Sequence, residues 1–77
     1  MTEREIREEL IEISKEIADY DFIEIDEPTM NFLESAPIQK AFWLVSGGVN
    51  NLEFLQEEFG ERLQKIEKAL KDLWLLA

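Results

Sequence analysis

Apolar residues recur every three or four positions near the start of the chain, which is the spacing of a helix with one buried face. The positions that share this face are Ile6, Leu10, Ile13, Ile17 and Tyr20. Thr2 and Glu5 have the spacing of a capping box, in which each side chain bonds to the backbone N–H of the other residue. The pattern therefore predicts a first helix over about residues 3–20.

The C-terminal part of the chain carries a longer pattern of the same kind. Its apolar positions are Leu52, Leu55, Phe59, Leu63, Ile66, Leu70, Leu73 and Ala77. Asn50 and Glu53 form a second cap-like pair before it, so we expect a helix over about residues 51–76. Three pairs place an acid four residues before a base, which favours a helix. These pairs are Glu58–Arg62, Glu61–Lys65 and Glu67–Lys71. We expect Trp74 to close the end of the bundle.

The middle of the chain predicts a helix that proline interrupts. Asp26 is suited to cap a helix with Pro28 in its first turn, and Pro37 disfavours helical geometry at the residue before it. The Gly47–Gly48 pair predicts an end near residue 46. We expect this helix over about residues 27–46, broken near 36–37. The predicted fold is all-α: a single domain, residues 1–77, built as a three-helix bundle with the middle helix broken at Pro37.

Composition excludes several classes of function. The 77 residues include no Cys and no His, which argues against disulfides, thiolate sites and transition-metal sites. The longest apolar runs have five residues, far too few to span a membrane, and the N-terminal residues do not resemble a secretory signal. Lys40, Tyr20 and the carboxylates have no recognisable orienting partner for catalysis. We therefore expect no enzyme activity and no cofactor.

The negative charge is concentrated in the middle of the chain. Residues 16–61 hold eleven carboxylates and one base, Lys40, so their sum is 1 − 11 = −10. Residues 1–15 contribute −2 and residues 62–77 contribute +2, so the flanks cancel. Because phosphate recognition needs clustered Lys and Arg, this charge disfavours nucleic acid and anionic lipid as partners. It favours a protein partner with a basic surface.

Two short patterns suggest ion binding but do not satisfy its requirements. The acidic run 19–27 invites comparison with a calcium loop, yet Glu24 stands where glycine is required and Met30 where a bidentate Glu belongs. Residues 46–48 lack the Lys and the hydroxyl residue of a phosphate-binding loop. We expect neither a metal nor a phosphate site.

Trp43 is the residue that best marks a contact surface. If its helix buries Phe42 and Val45, Trp43 points about 100° away, beside Gln39. The alternative is that Trp43 folds under the first helix. We predict an interface in which aromatic residues fill apolar pockets, Gln39 forms hydrogen bonds, and carboxylates attract Lys and Arg around the pocket. The predicted contact residues are Asp21, Phe22, Glu24, Asp26, Phe32, Gln39 and Trp43.

In residues 2–18 and 57–73, the composition, the caps and the salt-bridge spacing all favour a helix. In this respect the chain resembles computationally designed helical mini-binders, a resemblance of style that covers somewhat under half of the chain and includes no family motif. It implies a target-facing surface in the less regular segment 22–51. Two alternatives stay open: a natural acidic inhibitor that mimics the charge of nucleic acid, and a helical domain designed or selected only for folding.

Overall fold

The computed structural model describes residues 1–76, and these form four α-helices. The helices are α1 (Glu3–Ala18), α2 (Glu27–Ser35), α3 (Ile38–Asn50) and α4 (Glu53–Asp72). The predicted all-α class is confirmed. The description as a three-helix bundle is wrong, because the expected middle helix is two separate helices. Ala77, which the predicted domain and the last apolar pattern included, lies outside the described residues.

Pro37 separates α2 from α3 by imposing extended backbone on two successive residues. Ala36 has φ −71° and ψ 159°, and Pro37 has φ −52° and ψ 140°. The proline ring disfavours helical geometry at the residue before it, which accounts for the conformation of Ala36. At the other end of α2, the carboxylate of Asp26 accepts a 2.9 Å hydrogen bond from the backbone N–H of Thr29, as the predicted cap requires.

Thr2 and Glu5 form the predicted capping box at the start of α1, and the helix ends at Ala18 rather than near residue 20. The glycine pair does not end α3, which continues to Asn50. Burial explains this extension, because Val49 is fully buried and lies on the same face as the other core residues of α3. Asn50 is therefore helical, so it does not cap α4 as predicted.

The C-terminal end of α4 also differs from the prediction, since the helix ends at Asp72 rather than near residue 76. The N–H of Leu75 donates to the carbonyl of Leu70 at 2.9 Å, and the N–H of Trp74 donates to the carbonyl of Lys71 at 3.0 Å. With φ 62° at Trp74, these two bonds form a Schellman motif. The side chain of Trp74 is 92% exposed, so it does not close the bundle.

The core lies between α1, α3 and α4, with α2 packed against α1 and α3. Buried side chains recur on one face of each long helix, as the apolar spacing predicts. They include Ile6, Leu10, Ile13 and Ile17 of α1, Ile38, Phe42, Val45 and Val49 of α3, and Leu55, Phe59, Leu63, Ile66 and Leu70 of α4. Within residues 1–76 we find no helix that combines the length and the apolar character of a membrane span.

Two arginines connect the helices by side-chain hydrogen bonds. Arg7 of α1 donates to the carbonyls of Leu33 at 2.7 Å and Ala36 at 2.6 Å, so it satisfies backbone groups at the C-terminal end of α2. Arg62 of α4 forms ion pairs with Glu9 at 2.7 Å and Glu16 at 2.5 Å, both on α1. Both arginines therefore fix the position of a neighbouring helix relative to α1.

Candidate protein interface

The outward face of α3 is more apolar than a solvent-exposed helix face requires. Exposed positions recur along it with helical spacing, at Lys40, Trp43 and Gly47, and Leu44 lies next to Trp43. The side chains of Trp43 and Leu44 are 58% and 44% exposed. The exposure of Trp43 agrees with its predicted direction and excludes a position under α1.

An apolar groove of about 250 Å³ opens beside this face. It lies between the C-terminal half of α1, the connector that precedes α2, helices α2 and α3, and the start of α4 with the turn before it. Its apolar lining includes Ile17, Ile23, Ile25, Leu33, Leu44 and Leu52, and Gly48 also borders it. We refer to it below as the apolar groove.

A second, shallower depression adjoins the groove. It measures about 280 Å³ and is lined by Pro28, Thr29, Phe32 and Leu44. Because Thr29 and Leu44 line both cavities, the two form one continuous surface. Phe32, which is 39% exposed, lies at this end of the surface.

Phe22 belongs to a separate aromatic cluster, although it was predicted to act with Phe32 and Trp43. Its side chain is 70% exposed, and its ring centroid lies 5.6 Å from Phe54 and 6.2 Å from Tyr20. The hydroxyl of Tyr20 donates to the carboxylate of Glu58, and this hydrogen bond raises the pKa of Tyr20 above its ordinary value. Ring contacts thus hold Phe22 in the half of the connector next to α1.

Carboxylates surround the connector between α1 and α2. Asp21, Glu24, Asp26 and Glu27 are all exposed, and none of them lies in an ion pair with another described residue. Hydrogen bonds from Thr29, through its hydroxyl and its backbone N–H, lower the pKa of Asp26 because they favour its ionised form. We refer to these four residues as the acidic rim.

Gln39 is half-buried on α3, one turn before Trp43. The structure therefore brings Phe32, Gln39 and Trp43 onto the two helices that flank Pro37, with Leu44 between Phe32 and the groove. Leu44 was absent from the predicted contact residues. The available signal was its spacing, because it follows Lys40 by one helical turn and precedes Gly48 by another.

The ion pairs of Arg62 were also not foreseen. The sequence predicted a pair with Glu58 on the same helix, but Arg62 reaches Glu9 and Glu16 on α1 instead. The hydrogen bond to Glu16 raises the pKa of Arg62, and its guanidinium also lies 5.8 Å from the ring of Phe59. Spacing along one helix carries no information about a partner on another helix, so no signal in the sequence indicated these pairs.

The chemistry of this surface is apolar contact with charge at its edge. Residues 1–76 contain no group of three or more acidic side chains arranged to share a metal ion. Comparisons of the chain with protein-family models, with curated proteins and with solved structures give no match.

Proposed function

We propose that this chain is a non-catalytic protein-binding module. Its contact surface consists of Phe32, Trp43 and Leu44 around the apolar groove, with the acidic rim at one edge. The observation that carries the proposal is the exposed apolar surface that Leu44 makes continuous between the groove and the depression beside Phe32, with the exposed Trp43 next to Leu44 on α3. Contiguous exposed apolar patches with a polar border are typical of interaction sites, because their exposure to water is unfavourable in the free protein.

Each predicted contact residue has a role in the proposal. Trp43 and Phe32 insert into apolar pockets on the partner, since large aromatic side chains near the centre of an interface contribute most of its energy. Gln39 donates or accepts a hydrogen bond beside Trp43. Phe22 makes contact at the edge of the interface, from its cluster with Tyr20 and Phe54.

The charge at the edge indicates the chemistry of the partner. Asp21, Glu24 and Asp26 attract Lys and Arg side chains that surround an apolar pocket on the partner protein, and they raise the rate of association. Acidity disfavours nucleic acid and anionic membrane surfaces in this role. The style shared with designed helical mini-binders, in which a regular scaffold presents a target-specific surface, is consistent with a binder or inhibitor.

A matched pair of tryptophan variants tests the proposal. Affinity capture with the full chain, followed by mass spectrometry, identifies a partner, which is then purified and titrated against the variants. We expect Trp43→Ala to weaken binding at least tenfold, or about 1.4 kcal/mol. Trp74→Ala removes an even more exposed indole outside the proposed interface, so it should leave the affinity unchanged.

Thermal unfolding completes the test, because the Trp43 side chain is mostly in solvent and its removal should not lower the melting temperature. Equal effects of the two alanine variants on binding would contradict the proposal. So would a Trp43→Ala variant that loses stability but retains its affinity.

The uncompensated carboxylates of the acidic rim favour a second candidate function, an acidic inhibitor that covers a nucleic-acid-binding protein by mimicking phosphate charge. The dependence of affinity on salt concentration distinguishes the two candidate functions. An interface that depends mainly on charge loses affinity steeply between about 50 and 200 mM salt, whereas an aromatic interface changes little over this range. A steep loss, together with an unaffected Trp43→Ala variant, would favour the charge mimic.

A further inference from the structure

We infer that the partner occupies the apolar groove with a basic amphipathic α-helix that crosses α3 at Gly47 and Gly48. The inference rests on the proposed function and adds the conformation and chemistry of the partner segment. Four features of the molecule support it: the size of the groove, the open space above the glycine pair, the all-helical fold and the acidic rim.

The groove and the adjoining depression have the dimensions of side-chain pockets. The groove measures about 250 Å³, whereas an apolar cavity of roughly 150 Å³ already holds a benzene ring. It can therefore receive one large aliphatic or aromatic side chain. The depression beside Phe32 can receive a second, and the two pockets share Leu44 and Thr29. Adjacent pockets of this kind match apolar side chains one turn apart on a helix.

Gly47 and Gly48 leave the surface of α3 open to close approach. Both have negative φ, so the backbone conformation does not require glycine. A Cβ atom built at either position meets nothing within 4 Å, so packing within the chain does not require glycine either. Glycine destabilises a helix relative to alanine, yet two occur together here, and Gly48 borders the groove. Their absent side chains allow a second helix to pass close to the backbone of α3.

The fold of the chain favours a helical occupant over an extended one. An extended peptide gains affinity by adding a strand to an exposed sheet edge, and residues 1–76 contain no strand. Backbone N–H and C=O groups that lie against apolar side chains need hydrogen-bond partners. A helix satisfies most of its own backbone groups internally, so it can lie on this surface without help from the chain.

Charge complementarity favours a basic partner over a second copy of the chain. Each copy of the chain carries a net charge of −10, so a dimer through the groove would bring two strongly negative molecules together. Like charges across an interface are destabilising, whereas Lys and Arg on a foreign helix would meet Asp21, Glu24 and Glu27. The occupant is therefore a basic helix from another protein.

A synthetic peptide of about 18 residues, or five helical turns, is the probe. It carries Leu along one face and Lys elsewhere. One control peptide has the same composition with the Leu residues redistributed so that no apolar face forms, and a second has Glu in place of Lys. Each fluorescently labelled peptide is titrated with the full chain, and binding is followed by anisotropy. We expect the amphipathic Lys peptide to bind at least tenfold more tightly than either control.

A matched pair of glycine variants then locates the binding site. Gly48→Leu fills the open space beside the groove, and we expect it to weaken binding of the amphipathic Lys peptide at least tenfold. Gly60→Leu places the same side chain on α4, at a position where a Cβ also meets nothing within 4 Å, and should leave the affinity unchanged. Circular dichroism verifies that both variants remain folded.

Several outcomes would overturn the inference: no binding of the amphipathic Lys peptide, equal binding of either control peptide, or equal effects of the two leucine variants. A chain that sediments as a dimer and becomes monomeric with Gly48→Leu would instead identify a second copy as the occupant. The proposed function is tested independently of this inference, because it requires that Trp43→Ala weaken binding of the captured partner. If Trp43→Ala weakens binding of the captured partner while Gly48→Leu leaves the affinity for the peptide unchanged, the proposed function is retained and the helical occupant is wrong.

Discussion

Replacing Gly47 and Gly48 together by alanine should make the chain more stable. Both residues lie in the last turn of α3 with negative φ, and the space around each future Cβ is empty to 4 Å. Alanine therefore restricts the unfolded chain and adds helix propensity without a clash. If alanine stabilises the chain, glycine at these two positions does not serve the fold. The result therefore tests why the two glycines are present.

The expected gain follows from helix propensity. Glycine in the middle of a helix is less favourable than alanine by roughly 0.5–1 kcal/mol. The last turn of a helix frays, so each replacement in α3 should give the lower part of this range, or about 1 kcal/mol for the pair. In a domain of this size, about 1 kcal/mol raises the melting temperature by roughly 4–8 °C.

Urea unfolding followed by circular dichroism measures the effect, and an unchanged m-value would show that the compactness of the two end states is preserved. Gly60→Ala on α4 is the control, because it makes the same exchange at another open helical position and should stabilise by a comparable amount per residue. The reasoning is refuted if Gly60→Ala stabilises the chain while the double alanine variant leaves the unfolding midpoint unchanged or lowers it. That result would mean that the chain itself needs glycine in α3.

Three further changes test other parts of the structure by urea unfolding. Arg7→Met should destabilise by about 2 kcal/mol, because two carbonyls of the α2 end lose a charged donor; a loss below about 0.5 kcal/mol would mean that water replaces it. Trp74→Gly should stabilise by about 1 kcal/mol, since only glycine adopts its left-handed φ of 62° without strain; no gain would contradict the Schellman geometry. The pKa of Asp26 is lowered on folding, so its contribution to stability is present above its ordinary value of 3.8 and is lost as the pH falls through the folded value. Asp26→Asn retains a capping oxygen and cannot titrate, so between about pH 7 and 3 the wild type should lose more stability than this variant; equal losses would refute the role of the cap.

Local signals in the sequence predicted the starts of α1 and α2 and the buried faces of the long helices. Thr2 with Glu5 and Asp26 with Pro28 act within a few residues of backbone, so their geometry is determined locally. The same kind of signal failed at the glycine pair. There the burial of Val49 outweighed the low helix propensity of glycine, and long-range packing of this kind is not encoded in a short window of sequence.

The candidate interface was predicted in part. Helical spacing correctly gave the exposure of Trp43, and the same spacing places Leu44 on the outward face of α3, one turn from both Lys40 and Gly48. The groove could not be predicted, because it depends on how all four helices and two connecting segments pack together. Neither could the separation of Phe22 from Phe32, since the contacts of Phe22 with Tyr20 and Phe54 arise only when the start of α4 meets the end of α1.

In the proposed interface, Arg7 would give α1 an influence over selectivity, although the proposed contact residues lie on other segments. Phe32 is carried by α2 and Trp43 by α3, and the two helices meet at a proline joint without a continuous hydrogen-bonded backbone. The bonds from Arg7 to Leu33 and Ala36 hold the α2 side of this joint against α1. If the proposed function holds, a substitution at position 7 would shift α2 and Phe32 while every contacting side chain stayed the same, and an alanine scan confined to the contact surface would not detect it.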